Sequence, residues 1–335
     1  MWTLAGSTPT SCWPISSGDR ASPGHRVVSG QDRADRPLVI LGPTASGKSA
    51  LALAIAARIE GVELVSVDSM QVYRGMDLGT ASPTAEERRA GPHHLIDVAD
   101  PTEEFTVGAF QHRARRALDD IRGRDGVPVL VGGTGLYLRA VVDDLEIPGR
   151  YADVLAELES EPDTIVLHAR LAGLDPVAAA RMEPTNRRRV LRALEVTLGS
   201  GRPFSSYGPG LERYPPTPYV QVALRRDRDE LDRRIEERYR AQVAAGFLAE
   251  VEALAAVGPS RTAAQALGYR ELLAHLAGAC TLDEALDTAV RRTRRFARRQ
   301  ERWFRRDPRV RWVDAPADPD EVIALWDAER RTPVR

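Results

Sequence analysis

Leu38-Val39-Ile40-Leu41-Gly42-Pro43-Thr44-Ala45-Ser46-Gly47-Lys48-Ser49, continuing into the helix-like run Ala50–Ile59, decides the fold. A short apolar strand, a G-x-x-x-x-G-K-S loop and a helix, in that order, make a phosphate cradle. The two glycines let the backbone wrap tightly, so that successive N–H groups and the positive end of the helix aim at one anion. Lys48 supplies a mobile point charge for the terminal phosphates, and the Ser49 hydroxyl is placed to hold a magnesium ion. Lys48 is also the only lysine in the chain; every other basic residue among the 47 is arginine. A lone lysine where a compact ammonium is needed marks a position that arginine cannot serve. The loop therefore reads as the seat of a di- or triphosphate, and the group that reacts with it has to lie elsewhere.

Outward from the loop, the text alternates between strands and helices. Leu64-Val65-Ser66-Val67 reads as a second buried strand ending at Asp68, Val107 to Arg122 as a helix, and Val127–Val131 as a third strand. Continuous apolar runs separated by helices imply a parallel sheet covered on both faces, so the fold class is α/β, a P-loop NTPase-like parallel sheet. Ligands of such sheets bind at the carboxyl ends of the strands, where the loop, Asp68 and Gly132-Gly133-Thr134-Gly135 all fall. Residues 37–143 thus form the first part of the core. Residues 144–215 carry short helices without strands and read as a small all-helical insertion domain, closed by the Pro-rich connector Tyr214–Pro218. Residues 216–315 complete the core with strand Tyr219–Leu224 and long helices at Arg228–Ala245 and Leu282–Arg306. Residues 316–335 read as a C-terminal tail, and residues 1–36, rich in Ser, Gly, Pro and Asp, as a disordered extension.

The chain has 335 residues, 43% of them hydrophobic and 28% charged, with a net charge of −1. Bulk charge therefore draws no polyanion, but its distribution does. Eleven arginines lie between Arg291 and Arg311 against only Glu301 and Asp307, and Arg187-Arg188-Arg189 with Arg192 forms a second basic group. Taken singly these are solvated helix faces. Together, interleaved with Phe296, Trp303, Phe304 and Tyr269, they favour contact with a nucleic-acid backbone. Cys12 and Cys280 are far apart and imply no disulfide framework. No run approaches the roughly 18 apolar residues of a membrane span. A cytoplasmic enzyme is expected, and a monomer, since no leftover apolar surface is evident.

Two positions narrow the chemistry. Asp68 either caps a turn and helps hold magnesium through water, or acts as a general base beside the bound phosphates. The strand Val127–Val131 ends in Gly132-Gly133, where an ATPase or GTPase would place an aspartate for magnesium and attacking water. That argues against a hydrolytic motor or switch, and the glycines let another group approach the backbone closely, with Thr134 as a hydrogen-bonding partner. His93-His94 lacks metal-ligand partners at suitable spacing and reads as structural.

These residues together resemble the tRNA dimethylallyltransferases, or tRNA isopentenyltransferases. The matching text is Gly42–Ser49, Asp68–Ala81, His93–Asp97, Gly132–Tyr137, Arg192–Val196 and Gly268–Glu271, in unbroken order over residues 37 to 315. The resemblance implies transfer of the dimethylallyl group of dimethylallyl diphosphate to N6 of adenosine 37, just 3′ of the tRNA anticodon. It also implies a diphosphate held by Gly42 to Ser49 with Mg2+ on Ser49, and Asp68, Thr44, Lys48 and Arg238 as catalytic residues. Asp68 would take the amine proton, Thr44 would hydrogen-bond near the transferred group, and Arg238 would neutralise charge growing on the diphosphate. The implied contacts with the tRNA anticodon stem-loop are Asp68, Ser69, Met70, Gln71, Thr134, Arg188, Arg189, Arg192, Gln265, Gly268, Tyr269, Arg270, Arg298, Arg299, Trp303 and Arg305. Ser82 departs from the lysine common in relatives, and the segment Asp144–Asp163 is short. Rival readings are a relative that prenylates free AMP or ATP, a P-loop small-molecule kinase, and an RNA-binding module whose loop is structural.

Overall fold

The computed structural model describes residues 35–208 and 210–331. Its six strands are β1 (Leu38–Leu41), β2 (Val62–Val67), β3 (His93–His94), β4 (Val127–Gly132), β5 (Val220–Arg225) and β6 (Arg311–Asp314). All pair in parallel, in the order β3-β2-β4-β1-β5-β6. The strands read as unbroken apolar runs because alternate residues feed two different cores. Val39, Leu41, Val65, Val67 and Leu130 enter one; Leu38, Ile40, Leu64, Val129 and Val222 enter the other.

The helices, in chain order, are α1 (Lys48–Ala56), α2 (Ala85–Ala90), α3 (Val107–Arg122), α4 (Gly135–Val142), α5 (Ala152–Glu159), α6 (Thr164–Leu174), α7 (Pro176–Ala180) and α8 (Arg187–Ser200), then α9 (Arg228–Ala244), α10 (Phe247–Val257), α11 (Tyr269–Leu276), α12 (Leu282–Phe304) and α13 (Pro319–Arg330). On one face α3, α4 and α12 contribute Phe110, Tyr137 and Phe304 to the larger core. On the other, α1 and α13 contribute Leu51, Ile55, Val322 and Trp326. After β1 the chain moves to β2 and β3 on one side, returns to insert β4 beside β1, and then adds β5 and β6 on the opposite side. Gly132 is consequently the register partner of both Leu41 and Val67, which brings the carboxyl ends of three strands together.

The insertion has its own small core of Leu158, Leu167, Leu171, Val190 and Leu194. Its return connector is pinned to the body. Arg139 donates to the carbonyls of Leu211 at 3.0 Å and Arg213 at 2.6 Å, and Arg309 joins Asp143 at 2.7 Å to the Pro215 carbonyl at 2.6 Å. The Tyr214 ring meets both guanidiniums, at 4.5 Å and 5.5 Å. Ile165, Val166, Leu174 and Val177 are exposed on α6 and α7, contrary to the expectation of no leftover apolar surface.

Two further readings need correction. Residues 316–335 are not simply a tail: Asp318 caps α13, and Trp326 is wholly buried with its indole N–H donating to the Arg36 carbonyl at 2.8 Å. Strands β3 and β6 escaped the sequence because one has two residues and the other lies within the arginine-rich stretch. The extension 1–36 lies, but for Asp35 and Arg36, outside the described residues. Of the histidines of β3, His94 is held in the structure, its Nε2 2.6 Å from the Glu63 carboxylate that Arg124 also holds, whereas His93 lines the cavity beside the phosphate loop.

Candidate active site

The loop between β1 and α1 turns through Gly42 at φ 139° and Gly47 at φ 103°, a backbone that side-chain-bearing residues avoid. A Cβ at Gly42 would also stand 2.9 Å from the Leu224 carbonyl. The loop is tied back by cations acting on its carbonyls. Lys48 Nζ donates to Pro43 at 2.8 Å, Arg234 Nε to Ala45 at 3.0 Å, and Arg226 to Ser46 at 3.3 Å. With its carbonyls engaged, the loop has its amide groups other than those of Thr44 and Ser46 to offer to an anion.

Thr44, Lys48, Ser49, Asp68, Arg234 and Arg238 line one cavity of about 250 Å3. Arg238 Nη1 donates to Thr44 Oγ1 at 2.9 Å, and burial pulls the Arg238 guanidinium below its usual pKa. Burial likewise lowers the Lys48 amine to about 8, with Asp68 opposing the shift and Arg238 adding to it. Asp68 Oδ1 accepts from the Met70 and Gln71 amides at 2.8 Å and 3.4 Å. Lys48, Arg234 and Arg238 thus outnumber Asp68 and Glu87 around the cavity, a field that favours a polyanion. The catalytic set implied by the resemblance, Asp68, Thr44, Lys48 and Arg238, is brought together here.

The glycines after β4 are explained by what approaches them. A Cβ would stand 2.1 Å from the Val67 carbonyl at Gly132, 2.3 Å from Gln300 Nε2 at Gly133, and 2.3 Å from Trp303 Nε1 at Gly135. Helix α12 therefore seats on this turn. Buried Gln300 accepts from the Thr44 amide at 2.9 Å and donates to the Gly133 carbonyl at 2.8 Å. Thr134 Oγ1 accepts from the Ser69 amide at 3.2 Å. Gln300, Arg234 and Arg226 were missed as site residues. A polar residue within the inward stripe of α12 was the available signal for the first, and position four residues before Arg238 for the second.

The residues implied as RNA contacts divide in two. Arg188, Arg189, Gln265, Arg270, Arg298, Arg299 and Arg305 are exposed, and Gln71 lines the cavity. Tyr269 offers no stacking face: it is fully buried, packs edge-on against Phe247 at 4.9 Å and hydrogen-bonds Glu250. Gly268 is buried at φ 86° and donates to Glu271 at 2.9 Å, as a helix cap. Trp303 packs on Gly135, and Met70 against the larger core. Arg192 is engaged within the insertion, with the buried Glu195 at 2.9 Å and the Pro148 carbonyl at 2.8 Å.

A loop shaped for a phosphate chain, beside a strand that ends in glycine where an aspartate would set water against it, has the form of a P-loop-type transferase. The comparisons with known proteins narrow this class. The profile described as IPP transferase matches residues 71–307, and that described as Isopentenyl transferase matches residues 37–96. The chain is 49% identical over 300 residues to a tRNA dimethylallyltransferase of Thermobifida fusca, covering 86% of this chain and 93% of the relative. With that of Streptomyces avermitilis it shares 48% identity over 311 residues, covering 90% and 99%. The crystal structure of a tRNA isopentenylpyrophosphate transferase from Bacillus halodurans superposes with a TM-score of 0.65 at 38% identity, covering 88% and 96%. A eukaryotic dimethylallyltransferase seen acting on tRNA superposes at 0.74 with 25% identity, covering 90% and 81%. The chain belongs to the IPP transferase family, whose members here are tRNA dimethylallyltransferases, and it is a prenyltransferase.

Proposed function

We propose that the protein transfers the dimethylallyl group of dimethylallyl diphosphate to N6 of adenosine 37, 3′ of the tRNA anticodon, giving N6-isopentenyladenosine and diphosphate. The observation that carries this reading is the convergence of the phosphate loop, Asp68 and the buried Arg238 on one cavity, beside a strand end where glycine stands in place of a water-positioning aspartate.

In the reaction the carbon–oxygen bond to the diphosphate breaks and a carbon–nitrogen bond to N6 forms. Asp68 takes the N6 proton as general base. The leaving oxygens gain charge, which Lys48, Arg238 and the loop amides stabilise without reorganising. The Arg238 hydrogen bond to Thr44 places this guanidinium against the loop before any substrate binds. The amine cannot reach a carbon in the cavity while its base is stacked, so the adenosine is turned out of the anticodon loop. Exposed arginines on α8 and α12 meet the RNA phosphates.

Magnesium fits the donor set. Ser49 and Asp68 are oxygen donors on the cavity wall, and among the described residues no group of three His, Cys, Asp or Glu could hold a metal by itself. Magnesium commonly takes one or two protein oxygens and keeps water and phosphate ligands. Held by Ser49, it would offset charge on the diphosphate. Among the described residues no helix is long and apolar enough to cross a membrane.

The test offers radiolabelled dimethylallyl diphosphate and magnesium with tRNA bearing adenosine 3′ of the anticodon, the same tRNA with guanosine there, and AMP. Label in the first RNA alone is expected. Label in AMP would move the protein to free-nucleotide prenylation, and no label at all would overturn transfer.

A further inference from the structure

Helix α12 faces two ways. Arg298 and Arg299 project outward, whereas Gln300 points inward, is buried, and touches both the phosphate loop and the Gly132–Gly135 turn. Its two hydrogen bonds use opposite ends of one amide, one accepting and one donating, so an acceptor-only carboxylate does not reproduce both. The two partners belong to different halves of the site. The Thr44 amide opens the loop that holds the phosphates, and Thr44 Oγ1 is the group that Arg238 grips. Gly133 precedes Thr134, which holds Ser69 beside Asp68. Among the described residues, the amide of Gln300 is thus the side chain that bonds the loop to the turn supporting Asp68.

We propose that Gln300 is a positioning residue: it fixes the distance between the bound diphosphate and the Asp68 carboxylate from a helix whose outer face carries the RNA-facing arginines. The role rests on the transfer reaction proposed above, and it acts through Thr44 and Gly133 rather than on the substrates. Gly133 is part of the device, since any Cβ there would displace the amide. Misplacing reacting groups by about 1 Å costs on the order of 100-fold in rate.

The experiment compares wild type, Gln300→Met and Gly133→Ala. Methionine fills the glutamine volume without donor or acceptor, and so separates hydrogen bonding from packing. Inorganic diphosphate binding is measured by calorimetry in the presence of magnesium, and transfer kinetics against both substrates. For Q300M the expected result is a fall in kcat on the order of 30- to 100-fold, weaker diphosphate binding, and a KM for tRNA within about threefold of wild type. Gly133→Ala should reproduce this pattern, and combining the two should add little, because both break the same contact. Wild-type kinetics in Q300M would overturn the proposal, as would a rise in the KM for tRNA with diphosphate binding unchanged, which would make Gln300 an RNA contact. Should Q300M not fold, Gly133→Ala decides alone by the same readouts. Diphosphate binding is read without turnover, so a wild-type protein that binds diphosphate but labels no RNA would sink the transfer reading while leaving the loop-setting part of the proposal measurable.

Discussion

The arginines around the phosphate loop and those along the outside of α12 are the same residue type doing opposite things. Arg226, Arg234 and Arg238 point inward, bonded to Ser46, Ala45 and Thr44, and the last is buried enough to lower its pKa. Arg298 and Arg305 lie on the surface, near Asp232 at 3.4 Å and Glu301 at 2.6 Å, and Arg299 rests over Phe296 at 5.7 Å. The first group is the less exposed, so solvent and salt screen its guanidiniums less than those of the second. The difference teaches that arginine content locates neither role. Burial and partner do.

Asp68→Asn removes the carboxylate that faces the same cavity as the inner group and should have the largest effect. A loss on the order of 10²- to 10⁴-fold in kcat is expected with tRNA binding kept, read by single-turnover transfer and by filter binding. A loss confined to RNA affinity would remove Asp68 from the chemistry. Next comes Arg238→Gln, expected to lower kcat on the order of 10²- to 10³-fold; an unchanged kcat would erase the distinction between inner and outer arginines. The double substitution Arg298→Gln, Arg299→Gln should leave kcat near wild type and raise the KM for tRNA. It should also flatten the dependence of log affinity on log salt by about 1.4 to 1.8. An unchanged salt slope would show that this face is merely solvated. Smallest is Arg233→Gln, which breaks an exposed pair with Glu237 at 3.0 Å. Exposed pairs of this spacing contribute a few tenths of a kcal/mol, so melting temperature should move by no more than about 2 °C.

Much of the sheet was legible because its strands are buried on both faces and follow one another at helical intervals. The loop was legible because its geometry demands glycine at fixed spacing. The long α9 and α12 stood within two residues of their expected ends. Local pattern could not reveal β6, whose residues Arg311 and Asp314 are charged, since its place depends on pairing with β5. Helix α13 carried a start signal in Asp318 and Pro319, but its burial is set by the tertiary contact of Trp326 with Arg36. In the site, motif spacing pointed to Lys48, the end of the second strand to Asp68, and the family resemblance to Thr44. Gln300 lies 256 residues from Thr44, and no local pattern joins them. Tyr269 shows the opposite failure: an aromatic in a polar motif suggests stacking, whereas the fold uses it as core.

The solitary lysine has a practical consequence. Side-chain amine reagents have one target in this polypeptide, and it sits in the cavity wall. An anionic aldehyde followed by borohydride would therefore tag a single side chain, told apart from any adduct on the terminal amine by peptide mapping, and occupancy of the cradle would shield it. Mass spectrometry of that one adduct becomes a footprint of ligand residence, with no engineered label needed.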